Sequence, residues 1–165
     1  TRRSSDLMVV APLVTPVFGF SLNLIVLRIR QTIKAILMLS IGTISAILTA
    51  TLVTLLITFI DGDTITLTTE IISRTDANFL YLLVAFCSGI AGAYAYVKPE
   101  ILTSVAGIAI SVAIIPPLAV AGIGIGLGEW TLVTTSLLLY VINLAGISFG
   151  SIITFLSFGF GTKDI

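Results

Sequence analysis

Five apolar stretches divide the chain, and short polar or charged stretches separate them. They cover residues 6–27, 35–60, 77–97, 101–128 and 131–158. A membrane-spanning helix needs about 20 predominantly apolar residues. The pattern therefore predicts an all-α, polytopic membrane protein, with a single transmembrane domain over residues 1–165 that holds about five hydrophobic segments.

The fourth segment contains two features that interrupt a helix. Pro116 and Pro117 lie in its middle, and glycines follow at alternate positions, namely Gly122, Gly124, Gly126 and Gly128. Proline lacks an N–H and clashes with the carbonyl four residues earlier, so we expect the helix to kink or break just before the pair. Backbone freed at membrane depth must be buried in protein or line a water-filled cavity, and transporters place binding sites at such breaks.

The first segment is also predicted to be discontinuous, because Pro12 and Pro16 fall inside it. The spacing from Pro12 to Gly19 equals that from Pro117 to Gly124. If both segments span the bilayer, the two halves of the chain have inverted topology, as in many secondary transporters. A chance match within apolar sequence is the alternative.

Basic residues predict the orientation of the chain. Arg28, Arg30 and Lys34 form the strongest basic cluster, which the positive-inside rule assigns to the cytoplasm. The acidic stretch 61–76 then lies outside and the C-terminus lies in the cytoplasm. A first segment that spans would place the two N-terminal arginines outside, whereas a re-entrant segment would keep them inside, and both versions stay open.

Composition supports the membrane assignment and excludes several chemistries. The chain is 57% hydrophobic and only 10% charged, against about 25% charged residues in an ordinary soluble domain. Its formal net charge of zero argues against nucleic acid as a partner. Without histidine and with one cysteine, it has no basis for His-dependent catalysis, a thiolate metal cluster or an internal disulfide. We expect no catalytic residues, metal or cofactor, and we expect Cys87 to be a small buried hydrophobe.

Polar and small residues recur at helical spacing along three of the segments. The second segment carries Ser40, Thr43, Thr51, Thr54 and Thr58, and the fifth carries Ser136, Tyr140, Asn143, Gly150, Thr154 and Ser157. Such stripes face other helices or a pore rather than lipid, so helix packing and pore lining both remain possible. The third segment has a cluster that favours close packing: Ala85, Ser88, Gly89, Gly92 and Ala93.

Asn23 and Asn143 are the amides placed within apolar segments. Burying an unpaired amide costs roughly 1–3 kcal/mol, so we expect each to have a partner. That partner is either another helix or a polar path, and Asn143 is the better candidate for a path because it shares a stripe with Tyr140. A polar cluster at the outer interface precedes the third segment and comprises Glu70, Arg74 and Thr75.

Several motifs carry a family resemblance: APLVTP at 11–16, TEIISRT at 69–75, SGIAGAYA at 88–95, GIAISVAIIPPLAVAGIGIGLG at 107–128 and LYVINLAGI at 139–147. Through them the chain resembles the bacterial and archaeal membrane proteins grouped as domain of unknown function 389. Two departures are Val14-Thr15, where the family usually has Met-Gly, and Tyr81, where it tends to have an acid. Some members carry a soluble segment before the membrane region, and because the chain begins at Thr1 rather than Met, we expect an N-terminal part to be missing from it. The resemblance implies architecture and no settled activity.

Together these observations predict a multi-pass protein of the prokaryotic cell membrane that acts as a small-solute or ion transporter or channel. The expected partners are the lipid bilayer, an unknown small solute or ion, and further copies of the chain, because five segments can hardly enclose a pore alone. A structural or accessory membrane subunit is the alternative. The residues predicted to line the substrate pathway are Pro12, Pro16, Asn23, Pro116, Pro117, Gly122, Gly124, Tyr140 and Asn143.

Overall fold

A computed structural model describes residues 16–61, 68, 69, 71 and 79–161, and at 61 and 99–112 it describes the backbone alone. Within these residues the chain forms helices and no strands, so the all-α prediction is confirmed. The helices are α1 (Pro16–Ile25), α2 (Ile29–Asp61), α3 (Phe79–Val97), α4 (Pro99–Leu127) and α5 (Trp130–Ser157).

Three helices are long and apolar enough to cross a membrane. They are Ile29–Ile60 of α2, Phe79–Val97 and Trp130–Ser157. Pro16–Ile25 is a shorter apolar helix, and Ala113–Leu127, the part of α4 with described side chains, is apolar as well. The 33 residues of α2 correspond to about 50 Å of helix, which exceeds the roughly 30 Å of a bilayer core.

The start of α2 differs from its prediction. The basic stretch that was expected to connect the first two segments is helical from Ile29 onward, so Arg30 and Lys34 belong to α2. The reversal of the chain is confined to the preceding turn, where Leu27 has a φ of 55° and the Arg28 N–H donates to the Asn23 carbonyl at 3.0 Å. Since residues 29–34 contain neither glycine nor proline, the helix has no reason to begin later.

The fourth segment remains helical through its prolines. α4 runs from Pro99 to Leu127 with Pro116 and Pro117 inside it, so the pair does not break the helix. Its discontinuity lies in the backbone hydrogen bonds, because the two prolines cannot donate to the carbonyls of Val112 and Ala113. The helix then ends at Gly128, whose φ of 75° gives a left-handed cap.

Contacts along α2 and α4 show that these two helices run parallel. The Thr51 hydroxyl donates to the Gly122 carbonyl at 3.1 Å. Further along both helices, a Cβ added at Gly126 would lie 2.7 Å from the Thr54 methyl carbon. Residue numbers therefore increase together along the interface, and the absence of a side chain at these glycines lets the helices approach closely.

Contacts of the same kind give the direction of α3 relative to α5. Gly146 of α5 lies against Ala85, and further along both helices the Ser151 hydroxyl donates to the Gly89 carbonyl at 3.3 Å. These two helices are thus parallel to each other. α4 and α5 are antiparallel, because Asn143 contacts Ala113 near one end and residues at the start of α5 contact the end of α4. Directions therefore alternate from α2 to α5.

Small residues hold α3 against α5. A Cβ at Gly89 would overlap the Ile147 carbonyl, and one at Gly150 would overlap the Phe86 carbonyl. The predicted small-residue face of α3 is buried as a whole and comprises Ala85, Ser88, Gly89, Gly92 and Ala93, which confirms it as a packing surface. Cys87 is exposed instead, so its predicted burial is wrong. It follows Phe86 on the helix and points away from the buried face.

The core joins α1 to the other helices. The buried cluster contains Val17 and Phe18 of α1 together with residues of α3, α4 and α5, namely Ala85, Ala93, Ile114, Leu118, Tyr140, Ile147 and Phe155. The Phe18 ring lies 6.4 Å from the Phe155 ring in an edge-on arrangement and 5.7 Å from the Tyr96 ring. These aromatic contacts hold α1 against the C-terminal ends of α3 and α5.

α2 is the least covered helix. Among its described side chains only Ala35 and Thr54 are buried, and it packs mainly on α4. Large apolar side chains such as Ile41, at 67% exposure, and Phe59, at 87%, are left uncovered by this chain. An apolar surface of this extent marks a helix that contacts lipid or another protein.

Candidate polar site between α4 and α5

Asn143 of α5 supplies a hydrogen bond that α4 cannot make for itself. Its side chain is 3% exposed, and its Nδ2 donates to the Ala113 carbonyl at 2.8 Å. Ala113 precedes Pro117 by four residues, so its carbonyl is one that the proline leaves without a helical donor. The partner predicted for Asn143 is therefore an interhelical one, and it explains how the proline is accommodated inside α4.

The other end of the same amide has no partner. Oδ1 of Asn143 is buried and accepts no hydrogen bond within the described part of the chain. A carbonyl can only accept, so the amide nitrogen must face Ala113 and the orientation of the side chain is fixed. An unpaired buried acceptor costs about 1–3 kcal/mol, and such atoms in folded proteins usually mark a place for water, an ion or a ligand.

Tyr140 lies one turn before Asn143 on α5 and connects that helix to α2. Its hydroxyl is 2.7 Å from Oγ1 of Thr43, and Thr43 also donates to the Leu39 carbonyl at 2.9 Å. Hydroxyl groups both donate and accept, so either oxygen can be the donor in the bond between Tyr140 and Thr43. The Tyr140 oxygen keeps its own acceptor capacity.

The apolar wall of the site comes from α4. Pro117 is fully buried, as are Ile114 and Leu118, while Pro116 is half-buried. The proline pair thus lies within the packed bundle and not in a turn at its end. The expectation of free main-chain oxygens at both prolines needs correction at Ala113, because the Asn143 amide already occupies that carbonyl.

Other predicted pathway residues serve helix packing. A Cβ at Gly122 would lie 2.7 Å from the Ile47 carbonyl of α2, and one at Gly124 would lie 2.9 Å from a methyl carbon of Val133. Asn23 is half-buried near the end of α1, and no described hydrogen bond links it to Asn143. The structure therefore brings Pro117, Tyr140 and Asn143 together in one region. The two glycines lie at close contacts between helices instead.

Several predicted residues lie outside the described part of the chain or at its edge. Pro12 and the outer polar cluster of Glu70, Arg74 and Thr75 lie outside the described residues, and Pro16 stands at the first described position of α1, where it is buried. The polar stripe of α5 is buried at Ser136, Tyr140, Asn143, Gly150 and Thr154 and exposed at Ser157.

Most hydroxyls of that stripe bond to their own helix. The Thr154 hydroxyl donates to the Gly150 carbonyl at 2.9 Å, and the neighbouring Ser151 hydroxyl donates to the Ile147 carbonyl at 2.7 Å. Such back-bonding is what the packing interpretation predicts. Ser151 also reaches the Gly89 carbonyl of α3, whereas the described side-chain bonds of Asn143 and Tyr140 go to other helices alone.

Ala113 is the site residue that the sequence analysis missed. It has no polar side chain, and only its backbone oxygen takes part. The signal was nevertheless present, since counting four residues back from Pro117 identifies the carbonyl that loses its donor.

The fold and site together define a class of protein: an all-helical bundle with spans of membrane length, held by small residues and containing one buried amide against a proline-bearing helix. The sequence model of a family described as "Domain of unknown function (DUF389)" matches residues 8–149, and the chain belongs to that family.

A relative is an uncharacterised protein of Methanocaldococcus jannaschii. The two chains are 28% identical over 155 residues, which is 92% of this chain and 46% of the relative. The chain thus spans about half the length of that relative. No solved structure matches the chain.

Proposed function

We propose that this chain is a transmembrane domain through which a small polar solute or ion passes. The region around Asn143 is the polar site on its path. The observation that carries the proposal is the buried, unpartnered Oδ1 of Asn143, which lies beside the point where Pro117 interrupts the hydrogen bonds of α4. An irregular helix at membrane depth with an unmet polar atom is the arrangement that transporters use to contact their cargo.

Placement in the prokaryotic cell membrane is part of the proposal. The three membrane-length helices and the uncovered apolar surface of α2 support it. With Arg28, Arg30 and Lys34 in the cytoplasm, the alternating helix directions bring the end of α5 to the same side as the start of α2. The C-terminus is then cytoplasmic.

Assembly into a homo-oligomer is also proposed. α2 contributes a long apolar surface that the described part of this chain leaves uncovered, and five helices form a small bundle for enclosing a passage. A symmetric ring of copies would bring such surfaces together.

Flux into liposomes tests the passage. The full chain is reconstituted, and uptake of a panel of small labelled ions and neutral solutes is compared with empty liposomes. We expect uptake of one class above the empty control, reduced at least about tenfold by Asn143→Leu, which corresponds to roughly 1.4 kcal/mol at the site. Ser151→Ala is the matched control, because that hydroxyl bonds to the Ile147 and Gly89 carbonyls, which lie outside the region around Asn143. Uptake that equals the empty control, or that survives Asn143→Leu in folded protein, contradicts the proposal.

A structural or accessory membrane subunit is the second candidate, and one observation favours it. The Nδ2 of Asn143 already serves α4, and the glycines of α3 and α5 form a tight seam. A subunit of this kind would show no flux alone and would copurify with a fixed partner, whereas the passage predicts flux from the isolated chain.

A further inference from the structure

We propose that the polar site around Asn143 binds a small monovalent cation, an inference that rests on the proposed function and names its substrate class. The atoms of the site that remain able to accept or donate decide which ion it can bind. Asn143 has two donor hydrogens and an oxygen; its nitrogen is turned to the Ala113 carbonyl, and the unused buried atom is Oδ1. The amide therefore offers the site an acceptor.

Tyr140 offers a second acceptor, its phenolic oxygen. Its hydroxyl oxygen is 2.7 Å from Oγ1 of Thr43, and either of the two can be the donor in that bond. The phenolic oxygen retains a lone pair in either case. Because Tyr140 precedes Asn143 by three residues, the two side chains share a face of α5.

The backbone of α4 adds further acceptors. Pro116 cannot donate to the Val112 carbonyl, and Pro117 cannot donate to the Ala113 carbonyl. A carbonyl oxygen has two lone pairs, so Ala113 retains one even after Asn143 has bonded to it. Acceptors therefore outnumber donors at the site, where Asn143 keeps one amide hydrogen that no described bond uses.

An excess of neutral oxygen acceptors over donors favours a cation as the bound ion. Anions require several donors, and acceptors outnumber donors here, whereas cations are bound by carbonyl and amide oxygens that replace their water. Divalent cations in proteins generally take carboxylate ligands, and residues 101–127 and 130–157 contain no charged residue. A monovalent cation such as sodium, potassium or ammonium fits these constraints.

Equilibrium binding to the full chain in lipid nanodiscs tests the inference. The probes are radiolabelled sodium, rubidium as a stand-in for potassium, and chloride, each used alone. We expect saturable binding of sodium or rubidium and none of chloride, with binding weakened at least about tenfold by Asn143→Leu and unchanged by Ser151→Ala. Chloride binding that depends on Asn143, or cation binding that Asn143→Leu leaves intact, overturns the inference.

A second measurement needs no variant and holds if Asn143→Leu fails to fold. Thermal unfolding of the wild-type chain is compared in sodium, potassium, ammonium and choline chlorides at equal ionic strength. A bound ion raises the melting temperature through mass action, so we expect a small cation to raise it relative to choline, with no effect of exchanging chloride for another anion. Equal melting temperatures in all four salts overturn the inference.

The outcomes separate this inference from the proposed function. Cation binding without flux leaves the cation site standing and removes the passage. Flux of a neutral solute or an anion that depends on Asn143, with no cation bound, leaves the passage standing and removes the cation site.

Discussion

The side chain of Asn143 donates to the Ala113 carbonyl across the interface of α4 and α5, at 2.8 Å. That carbonyl lies four residues before Pro117 and would otherwise lack a partner in a buried environment. One residue thus lets a proline remain inside an apolar helix, and its other amide atom is a buried acceptor with no partner among the described residues. The Asn143 side chain is therefore expected to affect both the stability of the protein and its proposed function.

The seam between α3 and α5 predicts a strong effect at Gly89. A Cβ there would overlap the Ile147 carbonyl, and the backbone cannot move aside without separating the helices. We expect Gly89→Ala to lower the free energy of unfolding by about 1–3 kcal/mol, measured by denaturant titration in detergent. Gly19→Ala is the control, because nothing lies within 4 Å of its added Cβ. A loss at Gly19 as large as that at Gly89 would show that overlap is not the cause.

The hydrogen bond between Tyr140 and Thr43 predicts an energetic coupling between α5 and α2. Tyr140→Phe removes the hydroxyl and leaves the ring, so we expect a loss of about 0.5–1.5 kcal/mol in unfolding free energy. In a Thr43→Val background the same substitution should cost measurably less, because the bond is already absent. Equal costs in both backgrounds contradict the bond.

The cap of α4 predicts a dependence on backbone conformation at Gly128. Its φ of 75° lies in the left-handed region and no atom lies within 4 Å of an added Cβ, so any loss there comes from the backbone. We expect Gly128→Ala to destabilise the protein by about 1–2 kcal/mol. Gly128→Asn should be milder, since asparagine adopts this conformation more readily. Melting temperatures of the two variants check the order, and the reverse order rules out this explanation.

Cys87 predicts what the uncovered side of α3 contacts. It is exposed and is the chain's one cysteine, near the middle of Phe79–Val97. If that side contacts lipid, a charged maleimide should leave Cys87 unmodified in liposomes and should react after the protein is unfolded in detergent, because the reaction requires thiolate and water. Labelling is followed by mass spectrometry. Rapid reaction in intact liposomes would place Cys87 in an aqueous path.

Much of the fold was predictable because it depends on local composition. Apolar length placed the helices, and the spacing of Ala85, Gly89 and Ala93 identified the packing face of α3. The side of α3 that carries Cys87 was misjudged, since an apolar helix offers little contrast between a face toward protein and one toward lipid.

The course of α4 was less predictable, because it depends on another helix. A proline pair favours a break when only its own segment is considered. Here Asn143, 26 residues beyond Pro117 in the chain, supplies a donor and the helix continues. The sequence indicated that Asn143 would have a partner, but the identity of Ala113 required the fold.

The central claim is that Asn143 replaces the N–H that Pro117 lacks, and a double-mutant cycle of Asn143→Leu and Pro117→Ala tests it most directly. Alanine at 117 restores a backbone donor to Ala113, so the loss of the amide should cost less in that background. We predict a coupling in the free energy of unfolding of about 1 kcal/mol, within the range for residues that share a partner. The pair Pro117→Ala and Ser151→Ala is the additive control. Additivity within about 0.3 kcal/mol for Asn143 and Pro117 would contradict the account.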